Sequence, residues 1–120
     1  MTIYTVSILA TSLIVSGCEQ GVFCTEEFRS AGFVWTGASL PDSVYTVNAR
    51  TGDTLTALDK GYDTYFAVVD DSHMKSLSTE GDNLRTTVLD STGTVVASAW
   101  YVVGRENCHI VLRSGPEFLP

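Results

Sequence analysis

The residues of this 120-residue chain with the readiest chemistry are three cysteines and two histidines: Cys18, Cys24, Cys108, His73 and His109. A thiolate is a nucleophile and a metal ligand, and an imidazole is a base near neutral pH. The spacing supports neither role. Structural zinc takes four ligands, usually in closely spaced pairs, whereas Cys24 and Cys108 stand 84 positions apart, with only His109 beside them. A Ser-His-Asp relay can be drawn from His73, Asp71 and one of several serines, but no Gly-x-Ser-x-Gly elbow fixes a nucleophile. Asp53, Asp59, Asp63, Asp70 and Asp71 crowd one stretch. The fixed ligand positions and closing glutamate of a helix–loop–helix calcium site are absent, so these acids read as a solvated face. The expectation is a chain with no catalytic residue, no metal site and no cofactor, and with His73 solvated on a short helix. The aromatics offer another chemistry. Trp35, Trp100, Tyr45, Tyr62, Tyr65 and Tyr101 offer stacking surfaces for a sugar ring, with Trp35, Trp100 and Tyr101 as the candidate ligand-binding residues. Trp100 and Tyr101 are neighbours, so in a strand one faces the core and the other faces solvent.

Cys18 has a different setting. No Asp, Glu, Lys or Arg precedes Glu19, and Ile3 to Val15 is a mostly apolar run of 13 residues. A bilayer-spanning helix takes about 20 residues, so the run fits the apolar stretch of a secretory signal peptide. A buried first strand is the alternative. Val15-Ser16-Gly17-Cys18 resembles a bacterial lipobox, an aliphatic residue and two small ones before a cysteine. That resemblance implies cleavage after Gly17 and a diacylglycerol thioether on Cys18, since only a nucleophilic sulfur makes that bond. Several acyl chains hold a protein on a bilayer where one is marginal.

With Cys18 acylated, Cys24 and Cys108 remain as an even pair. A disulfide between them is the expectation in an oxidising compartment, with two unpaired core cysteines as the alternative. Closing so long a loop contributes about 4 kcal/mol on the chain-entropy model. Cys24 lies six residues beyond Cys18, a reach of about 20 Å when extended, so the domain is expected close to the lipid bilayer.

Lys and Arg number 7 against 14 Asp and Glu, for a net charge of −7. A chain this acidic repels phosphate backbones, which excludes nucleic acid as a partner. Apolar residues at 44% and charged residues at 18% suit a folded core rather than a disordered chain. The length suits one domain.

The elements that position these residues read as strands. Phe33-Val34-Trp35 is a short apolar run, and Leu40-Pro41-Asp42-Ser43 is a turn. Tyr45, Val47 and Ala49 alternate with Thr46 and Asn48, the pattern of a half-buried strand. Thr54 to Leu58 and Tyr65 to Val69 follow as strands. Asp71 is placed to cap a short helix, with Met74 and Leu77 three apart and facing the core. The clearest hairpin joins Leu84–Leu89 to Thr94–Val103 through Asp90-Ser91-Thr92-Gly93. Cys108 to Leu112 reads as the last strand, and Ser114-Gly115-Pro116 as its end. About seven short strands with one short helix predict an all-β, antiparallel, immunoglobulin-like sandwich, with a small closed barrel as the alternative.

Cys24-Thr25-Glu26-Glu27-Phe28-Arg29, Asp70-Asp71-Ser72-His73-Met74, Tyr101 to Ile110 and Ser114-Gly115-Pro116 together resemble small cell-envelope lipoproteins of the Bacteroidota. The mature part of those proteins is similar to carboxypeptidase regulatory-like β-sandwich domains, and the resemblance implies a prealbumin-like fold. The resemblance spans residues 18–120. It implies a signal peptide at 1–17, a lipidated cysteine and tether at 18–24, a sandwich at 25–116 and a tail at 117–120. It further implies a non-catalytic structural or protein-interaction module, held by acylated Cys18 in the outer membrane facing the periplasm. A glycan- or peptide-binding module is the alternative.

Overall fold

The structure, a computed structural model, describes residues 27–56 and 63–120. The run Ile3–Val15, Cys18, the tether with Cys24, Asp59 and Tyr62 fall outside them. Among the described residues the strands are β1 (Ser30–Trp35), β2 (Ser43–Asn48), β3 (Thr54–Leu55), β4 (Tyr65–Asp70), β5 (Asp82–Leu89), β6 (Val95–Arg105), β7 (Ile110–Ser114) and β8 (Phe118–Leu119). A 3-10 helix, Asp71–Ser76, joins β4 to β5. The strands form a three-stranded sheet in the order β4-β1-β8 and a five-stranded sheet in the order β3-β2-β5-β6-β7. This is the expected all-β sandwich. One pairing departs from the antiparallel expectation: β8 runs parallel to β1, with Val34 opposite Phe118 and Trp35 opposite Leu119.

The core lies between the sheets. Phe33 of β1 stacks on Phe66 of β4 at 5.8 Å between ring centroids. Val68, Val69, Leu84, Val88, Tyr101 and Val103 are buried around them. Burying each such side chain contributes about 1.5–3 kcal/mol before the entropy of ordering is subtracted. Leu77 closes the core below the 3-10 helix, and half-buried Met74 packs beside it, as their spacing predicts. The helix cap is Asp70 rather than Asp71: the Asp70 carboxylate accepts from the Ser72 N–H and hydroxyl.

The β5–β6 hairpin follows from its turn residues. The Asp90 carboxylate accepts from the Thr92 and Thr94 N–H groups and from the Thr92 hydroxyl, at 2.9, 3.0 and 2.6 Å. Gly93 supplies the positive φ of 83° that the turn needs.

The C-terminal residues are part of the sandwich, which corrects the expected tail at 117–120. After β7 the chain crosses at Gly115-Pro116 from the five-stranded sheet to the three-stranded one. Gly115 has φ 142°, and a Cβ there would lie 2.2 Å from the Tyr101 ring, so only glycine makes the crossing. The Tyr101 hydroxyl donates to the Pro116 carbonyl at 2.9 Å. Leu119 is then buried beside β1, and its carbonyl accepts from Thr36 N–H at 2.6 Å. The last long strand also begins later than expected. Cys108 and His109 form the bend before β7, and β7 opens at Ile110.

Candidate functional site

Alternate strand residues point to opposite faces, so pairing register assigns every residue of the five-stranded sheet. On the outward face Val47, Arg85 and Trp100 lie side by side across β2, β5 and β6. Tyr45, Thr87 and Ser98 make the next row. Trp100 is 53% exposed, Tyr45 43% and Val95 57%. The Arg85 guanidinium carbon sits 5.7 Å from the Trp100 ring centroid, a cation–π contact. Tyr45, Val47, Arg85, Thr87, Val95 and Ser98 line a shallow depression on this face.

Charge is distributed unevenly over the sheet. Its five strands contain a single carboxylate, Asp82, and that one is buried. The remaining charged residues of these strands are Arg85, Arg105 and Arg113. Arg105 donates to the Leu77 carbonyl at 2.8 Å, and Arg113 to the Thr79 carbonyl at 3.0 Å. Arg85 has no carboxylate at ion-pair distance among the described residues. The chain as a whole carries −7, yet the one charged residue in these outward rows is a cation, Arg85, set among apolar and hydroxyl side chains.

The inward face holds polar residues. The alternation in β2 is as read from sequence, but Thr46 and Asn48 are the buried set, while Tyr45 and Val47 look outward. The Thr46 and Thr86 hydroxyls share a hydrogen bond of 2.9 Å. The Asn48 amide donates to Asp82 at 2.9 Å, Ser78 N–H donates to it at 3.2 Å, and Arg50 holds both carboxylate oxygens at 2.7 and 2.9 Å. The Arg50 hydrogen bonds, reinforced by those from Asn48 and Ser78, hold the Asp82 carboxyl far below the usual carboxylate range against the opposing effect of burial.

A second cluster clasps both sheets. One oxygen of Asp71 accepts from Arg29 N–H at 2.9 Å and from His109 Nδ1–H at 2.7 Å, and the other accepts from Ile110 N–H at 2.8 Å. Burial pushes the Asp71 carboxyl up, but the bonds from His109, Arg29 and Ile110 outweigh it and leave the group below its usual value. His73 is not the solvated residue expected: its ring is 14% exposed, and Nδ1 accepts from Asp70 N–H at 3.4 Å in the helix cap. Asp70 and Asp71 therefore leave the supposed acidic face. Asp53 and Asp63 are exposed. No group of three metal-ligating side chains occurs among the described residues.

The candidate ligand-binding residues separate. Trp35 is 6% exposed, with its indole N–H donated to the Ser39 carbonyl at 2.7 Å. Tyr101 is fully buried, and burial, aided by nearby Tyr65, pushes its phenol up to about 12. Of the three, only Trp100 meets solvent, so a platform built from all of them is corrected to Trp100 with Tyr45, which belongs to the expected aromatic set, and with Arg85 and Val47, which no motif singles out. The signal that finds Arg85 is the absence of acids from the surrounding strands.

A groove of about 840 Å³ also opens between β1 and β7, where the last strand leaves one sheet for the other. Phe33, Ile110 and Leu112 are among its lining residues, with Arg29, Glu106 and Glu117. No helix among the described residues is long and apolar enough to cross a membrane. No protein-family model, curated protein or solved structure matches this chain.

Proposed function

We propose that the chain is a membrane-anchored bacterial lipoprotein whose β-sandwich serves as a non-catalytic protein-interaction module of the cell envelope. The observation that carries the interaction reading is the solvent-facing row Val47-Arg85-Trp100 on a regular sheet. Tryptophan, tyrosine and arginine are the side chains that dominate binding energy at protein interfaces. A paired sheet presents them without the ordering cost a loop incurs.

Anchoring rests on Val15-Ser16-Gly17-Cys18 and the apolar run before it. The kinship with small Bacteroidota envelope lipoproteins and the periplasmic face of the outer membrane belong to the same reading. So does the Cys24–Cys108 disulfide, whose support is the even pair of cysteines left once Cys18 is acylated. Such a bond would secure the tether next to the Asp71 clasp, because His109 directly follows Cys108. Glycan binding is the second reading, favoured by the exposed indole of Trp100 alone.

Anchoring is tested on the native protein. Mass spectrometry of its N-terminus should find Cys18 as the first residue, carrying acyl chains, and Cys18→Ala should move the protein from the membrane fraction to the soluble one. Palmitate labelling that survives Cys18→Ala would overturn it.

A further inference from the structure

The outward face of the five-stranded sheet differs from the rest of the chain in its charge, and the difference bears on what docks there. We propose that this face is the docking surface for an acidic segment of a partner protein, whose carboxylate pairs with Arg85 while its apolar side chains lie against Tyr45, Val47 and Val95. The inference rests on the interaction-module reading and names the partner's chemistry.

Charge complementarity argues for that occupant. The protein carries −7 overall, and its one carboxylate in these strands is buried against Arg50. Arg85 is left over Trp100 with no ion-pair partner among the described residues. Arg113 lies in β7, at the border of the same sheet. A planar guanidinium held over an indole keeps its N–H fork open for a carboxylate. Like charges facing each other across an interface cost affinity, so a second copy docking through the same face would set Arg85 against Arg85, and a basic partner would be repelled.

The observations favour a polypeptide over a sugar. One face of the Trp100 ring is already covered by Arg85, which removes a stacking surface. The surrounding side chains, Tyr45, Val47, Thr87, Val95 and Ser98, are apolar or carry single hydroxyls. They lack the convergent amides and carboxylates that would read ring hydroxyls.

Trp100 supplies the readout, since it is exposed and the chain's other tryptophan, Trp35, is buried. The full chain in detergent is titrated with short peptides in which Val and Tyr alternate with Glu, with Gln or with Lys, while acrylamide quenching of tryptophan fluorescence is followed. The Glu peptide should shield Trp100, and added salt should weaken the effect. Arg85→Glu should weaken binding of the Glu peptide by about tenfold or more. Val47→Glu, which leaves Arg85 in place, should do the same. Equal shielding by all three peptides, or a Glu peptide indifferent to Arg85→Glu, would overturn the proposal. Shielding by an oligogalacturonate with none by the Glu peptide would also overturn it, while leaving a binding face on this sheet. If none of these probes shields Trp100, both the acidic partner and the docking role of this face fall. Anchoring, read separately from Cys18, is untouched by that result.

Discussion

On the inward face of the five-stranded sheet Thr46, Asn48, Asp82 and Thr86 are buried, while on the outward face Tyr45, Val95 and Trp100 meet solvent. A sheet with one wet side usually buries apolar residues, as this one does at Leu84, Val88, Tyr101 and Val103, and the four buried polar residues depart from that pattern. The inward set is tolerated because each named group has a partner: hydroxyl to hydroxyl, amide to carboxylate, guanidinium to carboxylate. Buried polar groups cost little when paired and a great deal when orphaned. The outward set has no such internal partners, and its unspent contact surface is what another molecule would cover. These strands thus commit Thr46, Asn48, Asp82 and Thr86 to holding the fold and turn Tyr45 and Trp100 to solvent, while Tyr101 of β6 stays in the core.

The contrast breaks most visibly at Asp82. Asp82→Ala orphans the Asn48 amide and the Ser78 N–H together, and should cost about 3 kcal/mol in urea unfolding. Acid should probe the same group. Because the folded Asp82 value lies below the unfolded one, its contribution is fully present above about pH 4 and is lost as the pH falls through the folded value. Asp82→Asn should therefore show a shallower loss of stability on the acid side than the unaltered protein. A smaller effect is expected at the threonine pair. Thr46→Val leaves the Thr86 hydroxyl without its partner and should cost about 1 kcal/mol, with much of that recovered when Thr86→Val is added; a double-mutant cycle in urea measures the coupling. The smallest effect belongs outside. Trp100→Thr removes the cation–π contact from an exposed position and should shift stability by about 0.5 kcal/mol, read from the urea midpoint. A large loss there would mean that the outward face also holds the fold.

Much of the architecture was legible. The Asp90-Ser91-Thr92-Gly93 turn marks its hairpin because aspartate bonds its own following backbone and glycine accepts positive φ. The period of β2 was equally clear, but period does not fix phase. Which face is buried depends on Thr86 and Asp82, 40 and 34 residues away in sequence, and no local pattern reports that. Trp35 and Trp100 are alike as letters, yet one finds the Ser39 carbonyl and is buried while the other meets Arg85. Burial of Asp71 was unreadable for a related reason: its three donors, Arg29, His109 and Ile110, come from distant parts of the chain.

The Asp71 clasp also bears on how the domain would carry tension. Any pull arriving through the residues ahead of Glu27 reaches Arg29, whose N–H is bonded to the same carboxylate that grips the start of β7. The strain is divided at once between β1 in one layer and β7 in the other, instead of unzipping β1 from β4 one rung at a time. Beyond that point the short β8 pairing lies alongside β1 in parallel, so its bonds must slide together rather than open in succession.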